Sequence, residues 1–469
     1  MAGDSDSRAG EQGRAGNGRA ADAARSPSPS PPPSRAERGA PVPTGRISRL
    51  ARFGGLAAGV AGNMILGGAR EMARGRRPSL PDLLLTPANA LRVADSLANL
   101  RGAAMKLGQL MSMDAGDLLP PELTAILARL RADARPMPRG QVQAVLDRHW
   151  GPGWGARFAD FGWTPIAAAS IGQVHRARLT CGRDVAIKIQ YPGVRLSIDS
   201  DVDNVATLLA MSRLVPEGLD LGPLLAEAKR QLRDEADYLR EADCLTRYRA
   251  ALAGDADFIV PGLVEDLARP AVLVMDYVAG LPIEAAETAP QAERDRLATA
   301  LIRLVLDELF RFGLMQTDPN LANFLYDPSS GRVILLDFGA TRTIDPAMTE
   351  GYRTLGRAGL GGDQAAVWAA AEALGLVHPR VPAERKAEIL AMADMAMAPL
   401  RAGGRFDFAD RGFAERMRDQ GLAMAKRREL WHVPPAEALF VQRKLGGVYL
   451  IASRLGAVVD MGALVAPHL

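Results

Sequence analysis

Cysteine is nearly absent: only Cys181 and Cys244 occur in 469 residues, far apart and in no CxxC pair. That excludes a disulfide framework and a thiolate zinc cluster, and fits a reducing compartment. Aromatic residues are sparse at 5%, which weakens any reading built on base stacking. An excess of one charge is missing too. Lys and Arg number 57 against 54 Asp and Glu, a net +3, too balanced for bulk nucleic-acid binding. The uncharged apolar stretch Gly54 to Gly68 falls short of the roughly 20 residues a spanning helix needs. The histidines (His149, His175, His378, His432, His468) show no HExxH or other ligand spacing and read as structural. No GxxxxGK[ST] or GxSxG occurs, which removes P-loop and hydrolase chemistry.

What is present is ample core material, with 48% hydrophobic residues and a length suited to two or three domain-sized units. Residues 1–45 read as a disordered tail, with SPSPSPPP at Ser26–Pro33 and no apolar period. No basic start with an apolar h-region marks a signal peptide, and Asp4, Asp6, Glu11 and Asp22 argue against a mitochondrial transit peptide. The expectation is a bacterial cytoplasmic protein. Residues 46–78 form a Gly-rich apolar segment with Arg46, Arg49 and Arg52 before it and Arg70, Arg74, Arg76 and Arg77 after it. Two readings stand side by side: contact with an anionic lipid surface, or a linker packed on the protein's own core. The Gly55/Gly59 GxxxG pair would let two helices approach closely, so a homodimer stays open.

The spacing of Leu91, Leu97, Leu100, Ala104, Leu107 and Met111 predicts a helix over 86–114 that carries Lys106 and Gln109 on one face. A second helix is expected over 138–149, then a Gly/Trp/Pro-rich connector over 152–165. Residues 171–178 and 184–189 read as a hairpin turning at 180–183. Helices are expected over 202–214, 223–248 and 290–312, and a buried strand over 271–278. Two short strands are expected at 324–326 and 333–336. Beyond Asp345 the chain reads as mostly helical.

The strongest local signal is Val185-Ala186-Ile187-Lys188 on the second hairpin strand. A strand lysine in this run is how kinases place an ammonium against ATP phosphates. Downstream, in order, come a helix acid, Glu241; a D-x4-N unit, Asp318 to Asn323; and Asp337-Phe338-Gly339. Each recurs by chance alone, but the ordered set points to a kinase-like fold. Three departures accompany it. No G-x-G-x-x-G precedes the lysine, and Ala167-Ala168-Ala169-Ser170 stands at the phosphate-loop position. Gln316-Thr317 replaces the usual His-Arg before the catalytic aspartate. No A-P-E follows the DFG, where a protein substrate normally docks.

KLGQ at 106–109, AAASIGQVH at 167–175, VAIKIQYPGV at 185–194, EADYLREA at 235–242, QTDPNLANFLYD at 316–327 and LLDFGATR at 335–342 together resemble the UbiB/AarF/ADCK atypical kinase family. Its coenzyme-Q-biosynthesis branch is the most similar, and the resemblance runs from about Arg46 nearly to the end, including QRKLGG at 442–447. The implied fold is α+β: a bilobal kinase-like fold with a helical extension over 79–165, an N-lobe over 166–279 and a helix-rich C-lobe over 280–469. The resemblance implies that Lys188 binds phosphates with Glu241 as its partner. It makes Asp318 the catalytic acid-base residue and Asn323 and Asp337 the magnesium ligands. Ala167, Ala168, Ala169, Ser170 and the hinge Asp276 to Val278 would contact nucleotide, with Met275 as gatekeeper. Lys106 and Gln109 would fold over the cleft, facing Glu235 and Asp237. The expected cofactors are ATP and Mg²⁺. The expected activity is ATP hydrolysis or transfer to a small or lipid-like acceptor in ubiquinone biosynthesis, at the inner face of the bacterial cell membrane. Membrane lipids, quinone precursors and other ubiquinone-biosynthesis proteins would be the partners, and no nucleic acid. A protein kinase acting on a biosynthetic enzyme and a nucleotide-sensing scaffold are the alternatives.

Overall fold

The computed structural model describes residues 136–212, 222–378, 380–425 and 434–469. The expected tail 1–45, the Arg-flanked segment 46–78 and the helix bearing Lys106 and Gln109 lie outside them.

Helix α1 (Arg139–Trp150) buries Val142, Val145 and Leu146, the i, i+3, i+4 stripe of an amphipathic helix. It leads to β1 (Phe158–Phe161), β2 (Ala167–Ala168), β3 (Gly172–Leu179) and β4 (Asp184–Gln190). The region expected as a connector over 152–165 is therefore structured. Trp154, Phe158, Phe161 and Trp163 pack in tilted and edge-to-face contacts with ring centroids 4.8–6.2 Å apart, and β1 pairs with β3. The sheet thus begins before the expected N-lobe boundary at 166. Aromatic packing against a distant strand supplies the order that Gly and Pro alone would deny.

Helices α2 (Val194–Ser212), α3 (Gly222–Glu235) and α4 (Tyr238–Ala251) follow, then β5 (Phe258–Ile259) and β6 (Val272–Asp276). The single helix expected over 223–248 is two. The chain breaks at Ala236-Asp237, and Asp237 caps α4 by accepting from Arg240 N at 3.2 Å. The N-lobe sheet is antiparallel in the order β1-β3-β4-β6, with β2 alongside β3. Strand β4 is buried on both faces. Val185, Ile187 and Ile189 pack with α1 residues, Val272 and Val274 in one cluster, so the period of two turns Ala186 and Lys188 toward the other lobe.

The second lobe comprises β7 (Leu281–Pro282), α5 (Gln291–Asp307), β8 (Leu314–Gln316), β9 (Phe324–Asp327), β10 (Arg332–Leu335) and β11 (Thr341–Thr343). Then come α6 (Pro346–Gly361), α7 (Gln364–Ala373), α8 (Ala383–Ala402), β12 (Arg405–Asp407), α9 (Arg411–Ala425), α10 (Ala436–Leu455), β13 (Val458–Asp460) and α11 (Met461–Val465). Helix α5 widens into a π turn over Glu308–Phe312, and Gly313 ends it at φ +58°, a left-handed conformation that favours glycine. One core joins the inner faces of α4, α5 and α10 to β8–β10 and Phe338. That core sets the lobes' catalytic elements on a common base.

Candidate active site

Lys188 projects from β4 with its side chain 9% exposed. Its Nζ donates to Glu241 Oε1 at 2.7 Å and Oε2 at 2.9 Å, and to Asp337 Oδ2 at 3.2 Å. Burial alone would discharge this lysine, but the Asp337 and Glu241 carboxylates outweigh it and hold its pKa well above the ordinary value. Glu241 reaches the pair because Tyr238, Glu241, Leu245 and Tyr248 form the buried stripe of α4. The Tyr238 ring lies 5.2 Å from Lys188 Nζ, adding a cation–π contact.

Asp337 follows β10, and its Oδ1 accepts from Gly339 N at 2.9 Å. The Phe338 ring turns into the core, 5.0 Å from Tyr248. Arg240, beside Glu241 in sequence, donates to Gly339 O at 2.8 Å and to Thr341 O. Asn323 Nδ2 donates to Asp318 O at 3.0 Å, and Leu336 N donates to Asn323 O at 3.2 Å. Asn323 and Asp337 line one void of about 10 Å³ with Gln316, Glu308 and Lys444. Sequence-distant Lys188, Glu241 and Asp337 are thus in direct contact, and the D-x4-N loop is tied beside them.

The alanine-rich turn folds back onto β3. Ala167 and Ala168 pair with Val174 and Gln173, and Ala169 N donates to Gly172 O at 2.9 Å. Ser170 Oγ donates to Glu235 Oε2 at 2.8 Å, joining the turn expected to contact nucleotide to an acid expected to face Lys106 and Gln109. Asp237, expected to face the cleft, has its carboxylate on the α4 cap. At the hinge, the Asp276 carboxylate accepts from Arg183 Nε at 2.6 Å and Gly262 N at 2.9 Å. Its side chain is thus engaged within the N-lobe. Val278 is half-buried just beyond β6, and Met275 pairs with Ala186 in the interlobe core.

Reasoning from sequence gave Lys444 no role beyond its place in QRKLGG and passed over Glu308 and Tyr248. Lys444 is 1% exposed and Glu308 0%. The Lys444 Nζ lies 3.2 Å from Glu308 and from Gln316 Oε1, and Tyr248 OH donates to Glu308 Oε1 at 2.8 Å. The available signal was Lys444 among the apolar positions Val441, Val448 and Ile451 of α10.

No group of three or more His, Cys, Asp or Glu among the described residues could hold a metal. Magnesium needs less from protein, since it keeps waters and takes phosphate oxygens beside one or two carboxylates. The Asp337 carboxylate and the Asn323 amide oxygen, whose orientation is set through Nδ2, are hard oxygen donors of that kind.

A strand lysine gripped by a helix carboxylate and a DFG carboxylate, above a D-x4-N loop, defines a kinase-like phosphotransferase or ATPase. Residues 129–371 match the family described as the ABC1 atypical kinase-like domain. The chain belongs to that family. It is 40% identical to a rat protein named atypical kinase COQ8B, mitochondrial, over 92% of this chain and 81% of that protein. It is 37% identical to the Saccharomyces cerevisiae atypical kinase COQ8, mitochondrial, over 90% and 84%. Among solved structures, that of Rv3197 with erythromycin from Mycobacterium tuberculosis superposes with a TM-score of 0.57 at 27% identity, covering 81% of this chain and 96% of that one. The rat and yeast relatives carry mitochondrial names, which overturns the expected placement at the inner face of a bacterial cell membrane. Among the described residues, no helix is long and apolar enough to cross a membrane.

Proposed function

We propose that the cleft binds Mg²⁺–ATP and hydrolyses it, or transfers its terminal phosphoryl group to a small or lipid-like acceptor, in support of coenzyme Q biosynthesis. The observation that carries the reading is the Lys188 ammonium held between Glu241 and Asp337. On nucleotide binding, Lys188 turns part of its charge to the phosphates while Glu241 keeps it oriented. Bound magnesium supplies neutralisation of phosphate charge, and Asp337 with Asn323 would hold it. The Asp318 carboxylate orients the acceptor hydroxyl or water and receives its proton. Ser170, Ala169 and the hinge backbone at Asp276 to Val278 position the nucleotide. Lys106 and Gln109, outside the described residues, would cover the cleft from the N-terminal side.

The coenzyme Q role is supported by kinship with proteins named COQ8 and by the motif resemblance. Quinone precursors or membrane lipids are the proposed ligands beyond ATP, and biosynthetic proteins the proposed partners. The test is ATP hydrolysis by the purified chain with Mg²⁺, with and without anionic liposomes, beside Lys188→Ala and Asp337→Asn. Turnover in the wild type and its loss in both variants is expected. Equal rates in all three would overturn the reading, and stoichiometric labelling of a biosynthetic protein would replace it with protein phosphorylation.

A further inference from the structure

Behind the catalytic loop lies a charged pair that the proposed chemistry does not use. Lys444 Nζ donates to Glu308 Oε1 and to Gln316 Oε1, each at 3.2 Å. Glu308 Oε1 also receives Tyr248 OH at 2.8 Å and Gln316 N at 3.3 Å. Gln316 Nε2 then donates to Asp318 O at 2.8 Å, the same carbonyl that takes Asn323 Nδ2 at 3.0 Å. Gly447, one turn beyond Lys444, lets the loop seat directly on α10. A Cβ there would lie 2.2 Å from Pro319 Cβ and 2.3 Å from its Cγ.

Isolating two full charges from water is costly unless each is paired and hydrogen-bonded. Burial accordingly pushes the Glu308 carboxyl up, with Lys444, Tyr248 and the Gln316 backbone pulling it back. A merely structural contact at this depth is served as well by two apolar side chains. What apolar side chains cannot do is orient an amide. The Gln316 side chain has one acceptor oxygen and one donor nitrogen, and Lys444 takes the oxygen, so the nitrogen must face Asp318.

We propose that Lys444, held by Glu308, is a positioning residue: it fixes the Gln316 amide, which clamps the Asp318 carbonyl and so sets where Asn323 presents its oxygen to magnesium. This rests on the reading that Asn323 and Asp337 hold magnesium beside nucleotide.

The test follows the melting temperature of the full chain with ADP while Mg²⁺ is titrated. Two variants are compared with wild type: Gln316→Leu, which cuts the link to Asp318 and leaves the ion pair, and the double variant Lys444→Met/Glu308→Gln, which strands no buried charge. Both should need about tenfold more magnesium for the half-maximal shift, the usual scale for lost outer-shell support, with the metal-free ADP shift unchanged. A lower melting temperature with the wild-type magnesium midpoint in both variants would overturn the inference and leave the nucleotide reading intact. A wild type whose ADP shift ignores magnesium would overturn both.

Discussion

The buried Lys188 pair can be weighed without any nucleotide. At an effective dielectric of about 20, opposite unit charges at that separation attract by about 6 kcal/mol. Desolvation consumes part of it, and breaking a buried pair by removing one partner typically costs about 3–5 kcal/mol. Lys188→Met leaves the Glu241 carboxylate, 1% exposed, facing Asp337, which is 36% exposed. Urea unfolding at pH 8 should therefore show a loss near the upper part of that range. Lys188→Met/Glu241→Gln removes the stranded charge and should recover most of it. The pH dependence has a definite sign. Burial pushes the Glu241 carboxyl up, and without the lysine that push is unopposed. The folded variant then keeps a proton the unfolded chain releases, so its stability falls as pH rises above the ordinary carboxylate value. The loss should thus be smaller at pH 5 than at pH 8. A single variant destabilised by less than about 1 kcal/mol, or a loss independent of pH, would show that Lys188 is not a buried charge in a pair.

Two further outcomes test the frame around the cleft. At Gly172 a Cβ would lie 2.4 Å from Ile189 O and 2.8 Å from Tyr238 OH; Gly172→Ala should cost about 1–3 kcal/mol by overpacking and shift the AAAS turn, read by urea unfolding, and a neutral effect would refute the close approach. His175 Nδ1 donates to Gly162 O at 2.7 Å and its Nε2 accepts from Gln173 Nε2 at 2.7 Å, a neutral ring whose pKa burial lowers from 6.5. The folded chain refuses a proton that the unfolded chain binds, so stability declines below pH 6.5 with a slope of up to about 1.4 kcal/mol per pH unit. His175→Gln should flatten that slope in urea titrations between pH 5 and 7, and an unchanged slope would assign it elsewhere.

Lys188 and Asp337 were legible because VAIK sits inside a short apolar strand signal and DFG directly follows one, and strand alternation alone sets which face the lysine takes. Glu241 was legible as a helix acid in the right order. The break at Ala236-Asp237 was not, since the polar residues of 235–242 suit a continuing helix until the Asp237 side chain is seen capping it. Strand β1 was hidden for another reason: four residues, Phe-Ala-Asp-Phe, become a strand only by pairing with Leu179, Arg178 and Ala177. Lys444 illustrates the hardest case. A lysine on a helix reads as solvated unless its partner is known, and Glu308 lies 136 residues earlier on a π turn that no periodicity announces.

The departures from the usual kinase pattern become intelligible as one arrangement. Gln316 and Thr317 stand where His-Arg would be, and both have structural partners of their own. Thr317 donates from Oγ1 to Ala340 O at 2.7 Å and from its backbone at 3.2 Å, while Thr341 pairs with Gln316 across β11 and β8. Arg240 grips the same stretch from α4 through Gly339 O and Thr341 O. The segment after the DFG is thus stitched to the catalytic loop on one side and to the helix of Glu241 on the other. Through Arg240 and Thr317, the α4 helix that carries Glu241, the segment after Asp337 and the D-x4-N loop are linked by direct hydrogen bonds.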